Sequence, residues 1–175
     1  IPARGLGWGI SWRTVAWLSE DWTGADEGLS LLGDLYNLRG LFLVNARVSD
    51  AGTPFIGRLK GLGRLSFERT DVTDAGLKSI VTLKLLAELR LEDRGDGTAF
   101  TDAAIESVNQ LPRLMRLILC GQGFTDRTLQ TLVPPMRIRD IVLLDTSITK
   151  AGRDAATSGP RPMQIRPVTF SPTPP

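Results

Sequence analysis

From residue 38 to residue 152 the chain repeats itself with a step of 24. Leu62, Leu65, Phe67, Thr70, Val72, Thr73, Asp74 and Gly76 form one copy. Moved back by 24, the same row reads Leu38, Leu41, Leu43, Ala46, Val48, Ser49, Asp50 and Gly52. Later copies start at Leu86, Leu114 and Ile138. A fixed period in the twenties with this apolar spacing marks a solenoid, in which each unit buries its hydrophobic face only against its neighbours. Stacked units of this kind present one continuous surface and little that resembles a closed catalytic cleft.

Each unit has a physical reading. The L-x-x-L-x-L stretch alternates apolar with other residues, which is the period of a strand with one face buried. A Thr follows where the chain leaves the strand (Thr70, Thr98, Thr146), with Ala46 and Gln122 as the exceptions. An apolar residue then anchors the turn: Val48, Val72, Phe100, Phe124 or Ile148. Next come Ser49-Asp50, Thr73-Asp74, Thr101-Asp102 and Thr125-Asp126. Such pairs read as helix starts, the hydroxyl accepting from an orphan amide and the Asp favouring the positive end of its helix. Leu77, Ile80 and Leu83, then Ile105, Val108 and Leu111, mark the buried side of short helices. Pro134 and Pro135 should end the helix that carries Leu129 and Leu132.

The row L-x-x-L-x-F-x-x-T-x-V-T-D-A-G-L resembles the leucine-rich repeat family. The likeness is nearest to its helical-backed variants, the ribonuclease-inhibitor-like and cysteine-containing-like types, and to the short-period repeats common in bacterial proteins. That resemblance implies an α/β solenoid, a horseshoe with a parallel β-sheet on its concave face and short helices on its convex face. It implies a fold far more than a function, since such folds host many unrelated partners.

Three regions follow. Residues 1–37 hold all four tryptophans (Trp8, Trp12, Trp17, Trp22) and a degenerate first repeat, with Ser19 where the 24-residue phase expects a buried Leu. They read as a cap sealing the end of the core; a membrane-interface or docking patch is the alternative. Residues 38–152 are the repeats. Residues 153–175 are Pro-rich, a cap or tail that runs extended along the last unit with Met163, Ile165 and Val168 closing the core.

Composition removes several function classes. With 175 residues, one domain with a sizeable core is expected. There is one cysteine, Cys120, and no histidine. No internal disulfide can form, and the usual metal ligand and general base are missing. No metal, no cofactor and no small-molecule substrate is expected, and catalytic residues are none. A net charge of +2 and the interleaving of Arg64, Arg69, Arg90 and Arg116 with Glu68, Glu88 and Glu92 leave no basic stripe for nucleic acid. The ends differ in sign. Glu20, Asp21, Asp26, Glu27 and Asp34 stand at one end; Arg137, Arg139, Lys150, Arg153, Arg161 and Arg166 gather at the other. No apolar run reaches the roughly 18 residues a membrane crossing needs. A soluble domain is expected, compatible with the cytoplasm or with export. The first residue, Ile1, is not Met, so an upstream leader or tether is expected to have been removed or left out. Membrane contact is expected only through that missing part or the N-terminal segment.

The outward side chains of the strands are the candidate site. Phe42, Val44, Arg64, Glu68, Arg69, Glu88, Arg90, Glu92, Arg116, Ile118, Val142 and Leu144 would face a protein or peptide partner, with exposed apolar groups framed by charge. One unit is four residues longer, and the insertion Arg94, Gly95, Asp96 and Gly97 should bulge from the rim of that face. Glu92, Asp93 and Asp96 beside two glycines lack the spacing of a Ca²⁺ loop. Arg94-Gly95-Asp96 also spells an adhesion tripeptide, a match too short to weigh. A non-catalytic interaction module is the reading this supports. The alternative is an accessory subunit of a larger assembly, docked through its Trp-rich start and Pro-rich end.

Overall fold

A computed structural model describes residues 8–11, 15–35, 37–132, 138–158 and 164–167. Eight strands follow in chain order: β1 Trp8–Ser11, β2 Val15–Leu18, β3 Gly40–Val44, β4 Arg64–Glu68, β5 Glu88–Glu92, β6 Arg116–Cys120, β7 Asp140–Leu144 and β8 Ile165–Pro167. They make one open sheet in that same order. β1 pairs antiparallel with β2, and every later neighbour pairs parallel. Short helices return the chain between strands: α1 Ala25–Gly28, α2 Thr53–Ile56, α3 Leu77–Ile80, α4 Ala104–Val108, α5 Asp126–Thr131 and α6 Lys150–Thr157. A 3-10 segment, Leu29–Asp34, continues α1. The chain is thus α/β, an open and mainly parallel sheet alternating with short helices, an arrangement compatible with a repeat solenoid.

The apolar phase of the sequence becomes two buried rows. Leu41, Leu65, Leu89, Leu117 and Ile141 stand opposite one another rung by rung, and so do Leu43, Phe67, Leu91, Leu119 and Leu143. None is more than 4% exposed, and all join Leu77, Ile80, Ile105, Val108 and Leu129 in one core. Each such side chain contributes about 1.5–3 kcal/mol by leaving water. Val48, Val72, Phe100, Phe124 and Ile148 fill the turn side of the same core. Phe67 and Phe100 meet at a ring separation of 6.3 Å. The helices are shorter than the apolar spacing suggests: α3 stops at Ile80, and Leu83 is buried from the turn that follows. α5 ends at Thr131, ahead of the two prolines.

The Thr125 hydroxyl caps α5 as the sequence reading expects, and the Thr149 hydroxyl caps α6, while the carboxylates of the Ser/Thr-Asp pairs act differently from that reading. Asp50 accepts from Thr73 N–H and from Thr73 Oγ1, both at 2.7 Å. The same pair of bonds joins Asp26 to Ser49, Asp74 to Thr101, Asp102 to Thr125 and Asp126 to Thr149. Each carboxylate therefore holds the turn of the following unit. Neighbouring strands lie about 4.8 Å apart, so the next turn is within reach of a short side chain. The hydroxyl still receives the N–H two residues on, as Thr73 does from Ala75 at 3.2 Å. The last unit carries Lys150 where the others carry Asp.

The N-terminal unit corrects the 24-residue phase. β2 pairs with Ala16 opposite Leu41 and Leu18 opposite Leu43, a step of 25. Ala16 and Leu18 are buried, and Ser19 lies beyond the strand. Trp17 therefore turns outward, while Trp22 is buried against Gly24 and Gly28. Trp12 lies outside the described residues. At the other end β8 extends the sheet, with Ile165 opposite Ile141 and partly buried against the core; Met163 and Val168 lie outside the described residues. Among the described residues no helix is long and apolar enough to cross a membrane.

Candidate functional site

In-register pairing sorts the outward side chains into three rows. Arg64, Glu88, Arg116 and Asp140 form the row at the strand starts. Trp17, Phe42, Ser66, Arg90, Ile118 and Val142 form the middle row. Val44, Glu68, Glu92, Cys120 and Leu144 form the row at the strand exits.

The middle row begins with an aromatic stack. Trp17 lies over Phe42 with ring centroids 4.2 Å apart and planes 11° from parallel. Half of Trp17 stays in contact with solvent. Across β1 its register partner is Gly9, which has no side chain to cover it. The sequence phase hid this residue, because the one-residue shift of β2 exchanges its inward and outward sets. No alternation in Val15-Ala16-Trp17-Leu18 could have revealed the shift, since all four residues are apolar.

Arg90 is the centre of the charged part. Its guanidinium lies 2.5 Å from Glu92 Oε2 and 3.5 Å from Glu68 Oε2. Ser66 donates to Glu68 at 2.6 Å, and Arg69 reaches Glu92 at 3.7 Å. Burial alone would lower the basicity of Arg90; the Glu92 hydrogen bond and the charges of Glu68 and Glu92 outweigh it and hold the group above its ordinary value. Arg90 Nε is shut from water and makes no hydrogen bond. Arg116 pairs with Asp140 at 3.4 Å, while Arg64 is exposed at the edge of the network.

The apolar flank differs from its expected exposure. Ile118, Val142 and Leu144 are only 7–8% exposed and form a second cluster with Cys120 packed against it. The register explains this in part: Ile118 faces Val142 and Cys120 faces Leu144, so the four side chains shelter one another. Phe42 and Val44 are half-buried.

The insertion, Arg94 to Gly97, follows the exit of β5. Arg94 pairs with Asp71 at 3.0 Å. Asp96 is fully exposed, and the Thr98 N–H, 3.1 Å away, holds its carboxyl below the ordinary range. The other strand-exit residues, Asn45, Arg69 and Asp145, adopt positive φ. In the long unit that turn passes instead to Gly95 and Gly97, and Asp93 is drawn inward to 3% exposure. Asp93 lines a cavity of about 340 Å³ together with Glu92, Cys120, Gly121 and Asp145. The composition signalled acid at this point, but only the tertiary structure shows that one of these carboxylates is buried. Burial, followed by the charges of Glu92 and Asp145, pushes the Cys120 thiol up to about 11, so the thiolate is scarce at neutral pH. Among the described residues no group of three or more His, Cys, Asp or Glu side chains is placed to hold a metal ion.

The arrangement offers a ring face, a partly buried ion network and a rim cavity along one surface. No protein-family model and no curated protein matches the chain, so the assignment of a role rests on this geometry.

Proposed function

We propose that the chain is a leucine-rich repeat protein of the helical-backed type, and that it binds a protein or peptide partner through the outer face of its strands without catalysing a reaction. Three features support the fold assignment: strands in unbroken chain order, a step of 24 residues in all but the first and the inserted unit, and the Asp ladder from unit to unit. The observation that carries the functional reading is the half-exposed Trp17 stacked on Phe42, on the same sheet face as the Arg90–Glu68–Glu92 network. A large aromatic held by a stack, on a face that also carries Arg, is the composition of an interface anchor. Among the described residues, the reactive groups that acyl or phosphoryl transfer would require are not assembled around it, and the scarce thiolate of Cys120 makes a poor nucleophile.

The test compares three proteins in native affinity capture from lysate: the wild-type chain, Trp17→Ser/Arg64→Glu on the strand face, and Lys78→Ser/Gln110→Ser on the helix face. Arg64 is chosen over Arg90 because Arg90 is engaged by its own carboxylates. Species held by the wild type and by the helix-face variant should fall at least about tenfold with the strand-face variant, a loss of roughly 1.4 kcal/mol. Equal retention by all three, with circular dichroism unchanged, would rule out this surface.

A further inference from the structure

We infer that the cavity at the exits of β5 and β6 binds a guanidinium group, supplied by an arginine side chain of a partner, with Asp93 as its buried counter-charge. The source of the cation rests on the reading of this face as a partner surface; its chemistry does not.

Asp93 is 3% exposed, and only one of its oxygens is satisfied. Oδ1 accepts from Gly95 N–H at 2.6 Å. Oδ2 is buried and makes no hydrogen bond. Buried carboxylates are ordinarily paired or hydrogen-bonded at both oxygens, because taking the charge out of water is otherwise costly. The nearby arginines are committed elsewhere: Arg69 to Glu92, Arg94 to Asp71, and Arg90 to Glu68 and Glu92.

The cavity lining carries three carboxylates, Glu92, Asp93 and Asp145, against two guanidinium groups, Arg69 and Arg94, each already paired with a carboxylate. Cys120 in its wall registers this: after burial, Glu92 and Asp145 push the thiol upward, Asp93 acts in the same direction, and Arg90 opposes them. Gly121, the other wall, has φ of +130° and no room for a side chain, since a Cβ there would run into the Asp93 carboxylate. Arg94 and Gly95 line the same cavity. A side chain at Gly95 would meet nothing within 4 Å, so there is open space beside this turn.

The donor set selects the ligand class. A single buried carboxylate, with no third ligand placed nearby among the described residues, does not suit a metal ion. A guanidinium is weakly hydrated and presents several N–H groups in a planar fork. It can give one donor to Asp93 and others to Glu92 or Asp145, where an ammonium must keep more of its water.

Titration of ¹⁵N-labelled protein tests this with four probes: N-acetyl-arginine methylamide, N-acetyl-lysine methylamide, calcium chloride, and a hexapeptide with one central arginine. The arginine derivative should give saturable shifts at the amides of Gly95, Cys120 and Gly121. The lysine derivative should bind at least about tenfold more weakly, and Asp93→Asn should weaken the arginine derivative by at least about tenfold. The peptide should bind more tightly than the free derivative; equal affinity would overturn the partner as source. A second measurement needs no variant. Cys120 is the sole cysteine, so its reaction with cationic and anionic methanethiosulfonates reports the cavity directly. The cationic reagent should be favoured at least about tenfold beyond its preference for free cysteine, and the arginine derivative should protect the thiol. Absent saturation, saturation unchanged in Asp93→Asn, calcium shifts at the same amides, or a charge preference no greater than that of free cysteine would each overturn the inference. A null titration leaves the capture result with Trp17 and Arg64 standing, so the two failures can be told apart.

Discussion

Asp102 accepts three hydrogen bonds, all from the unit after its own: Thr125 N–H at 2.9 Å, Thr125 Oγ1 at 2.6 Å, and Thr128 Oγ1. Burial pushes its carboxyl upward, but the bonds from Thr125 and Thr128 outweigh burial and hold it below the ordinary aspartate range. A carboxylate whose folded value is depressed contributes stability that is complete above its unfolded value, about 3.9, and is lost as pH falls through the lower folded value. Asp102→Ala should therefore cost about 2 kcal/mol at pH 7 in urea denaturation, a figure reduced for the group's partial exposure. The gap to wild type should stay constant down to about pH 4.5 and close below about pH 4. A gap unchanged at pH 3 would show that the carboxylate charge is not what holds Thr125. The Gly of the T-D-A-G row also belongs to this scale. At Gly52, Gly76 and Gly152 an added Cβ would press on the carboxylate of the preceding unit. Ala104 holds the same place in the long unit, where Asp74 still bonds Thr101, now at 3.1 Å from its amide. The side chain gives way by a few tenths of an ångström, so Gly is preferred here without being required. The Thr-Asp pairs are plain in the sequence; the unit each carboxylate serves is not, because that depends on the spacing between units.

Among the elements, β2 shows how one residue decides a face. Its register puts Leu18 in the core and Trp17 on the surface. Leu18→Ala should cost about 3 kcal/mol through lost burial and the cavity left behind. Trp17→Ala should cost about 1 kcal/mol, the worth of its stack on Phe42. Denaturation midpoints in the reverse order would place Trp17 inside and refute the register. The long unit makes a related point. Its four extra residues were legible as a lengthened spacing between Leu91 and Phe100. Their effect on Asp93 was not, since it follows from the transfer of the positive-φ turn to Gly95 and Gly97 and from the contact with Gly121.

Across the whole molecule, the units pack neighbour on neighbour, with strand beside strand in chain order and helix beside helix: α2 on α3, α3 on α4, α4 on α5, α5 on α6. Stability in such an array is close to a sum of unit and neighbour terms. α6 buries none of its residues, and β8 is three residues long. Amide hydrogen exchange should be slowest in β4, β5 and β6 and fastest in α6, with β8 between them. Uniform protection from β3 to β8 would indicate a single cooperative globule in place of a neighbour-coupled array. The polar surface follows the same geometry. Arg90, Glu68 and Glu92 come from two adjacent units and meet because the units are in register.

The spacing of Leu, Ile, Val and Phe was enough by itself to specify strands, short helices and a shared core, because burying one face of a repeating unit admits few solutions. It also named the Arg and Glu residues that line the outer face. Only the tertiary structure decided that Trp17 faces out, that Ile118, Val142 and Leu144 shelter one another, that each Asp serves the next unit, and that Asp93 is buried with one oxygen unpaired. Those outcomes depend on distances across units of about 5 Å and on a register shift of one residue, and neither quantity is carried by the residues of a single repeat.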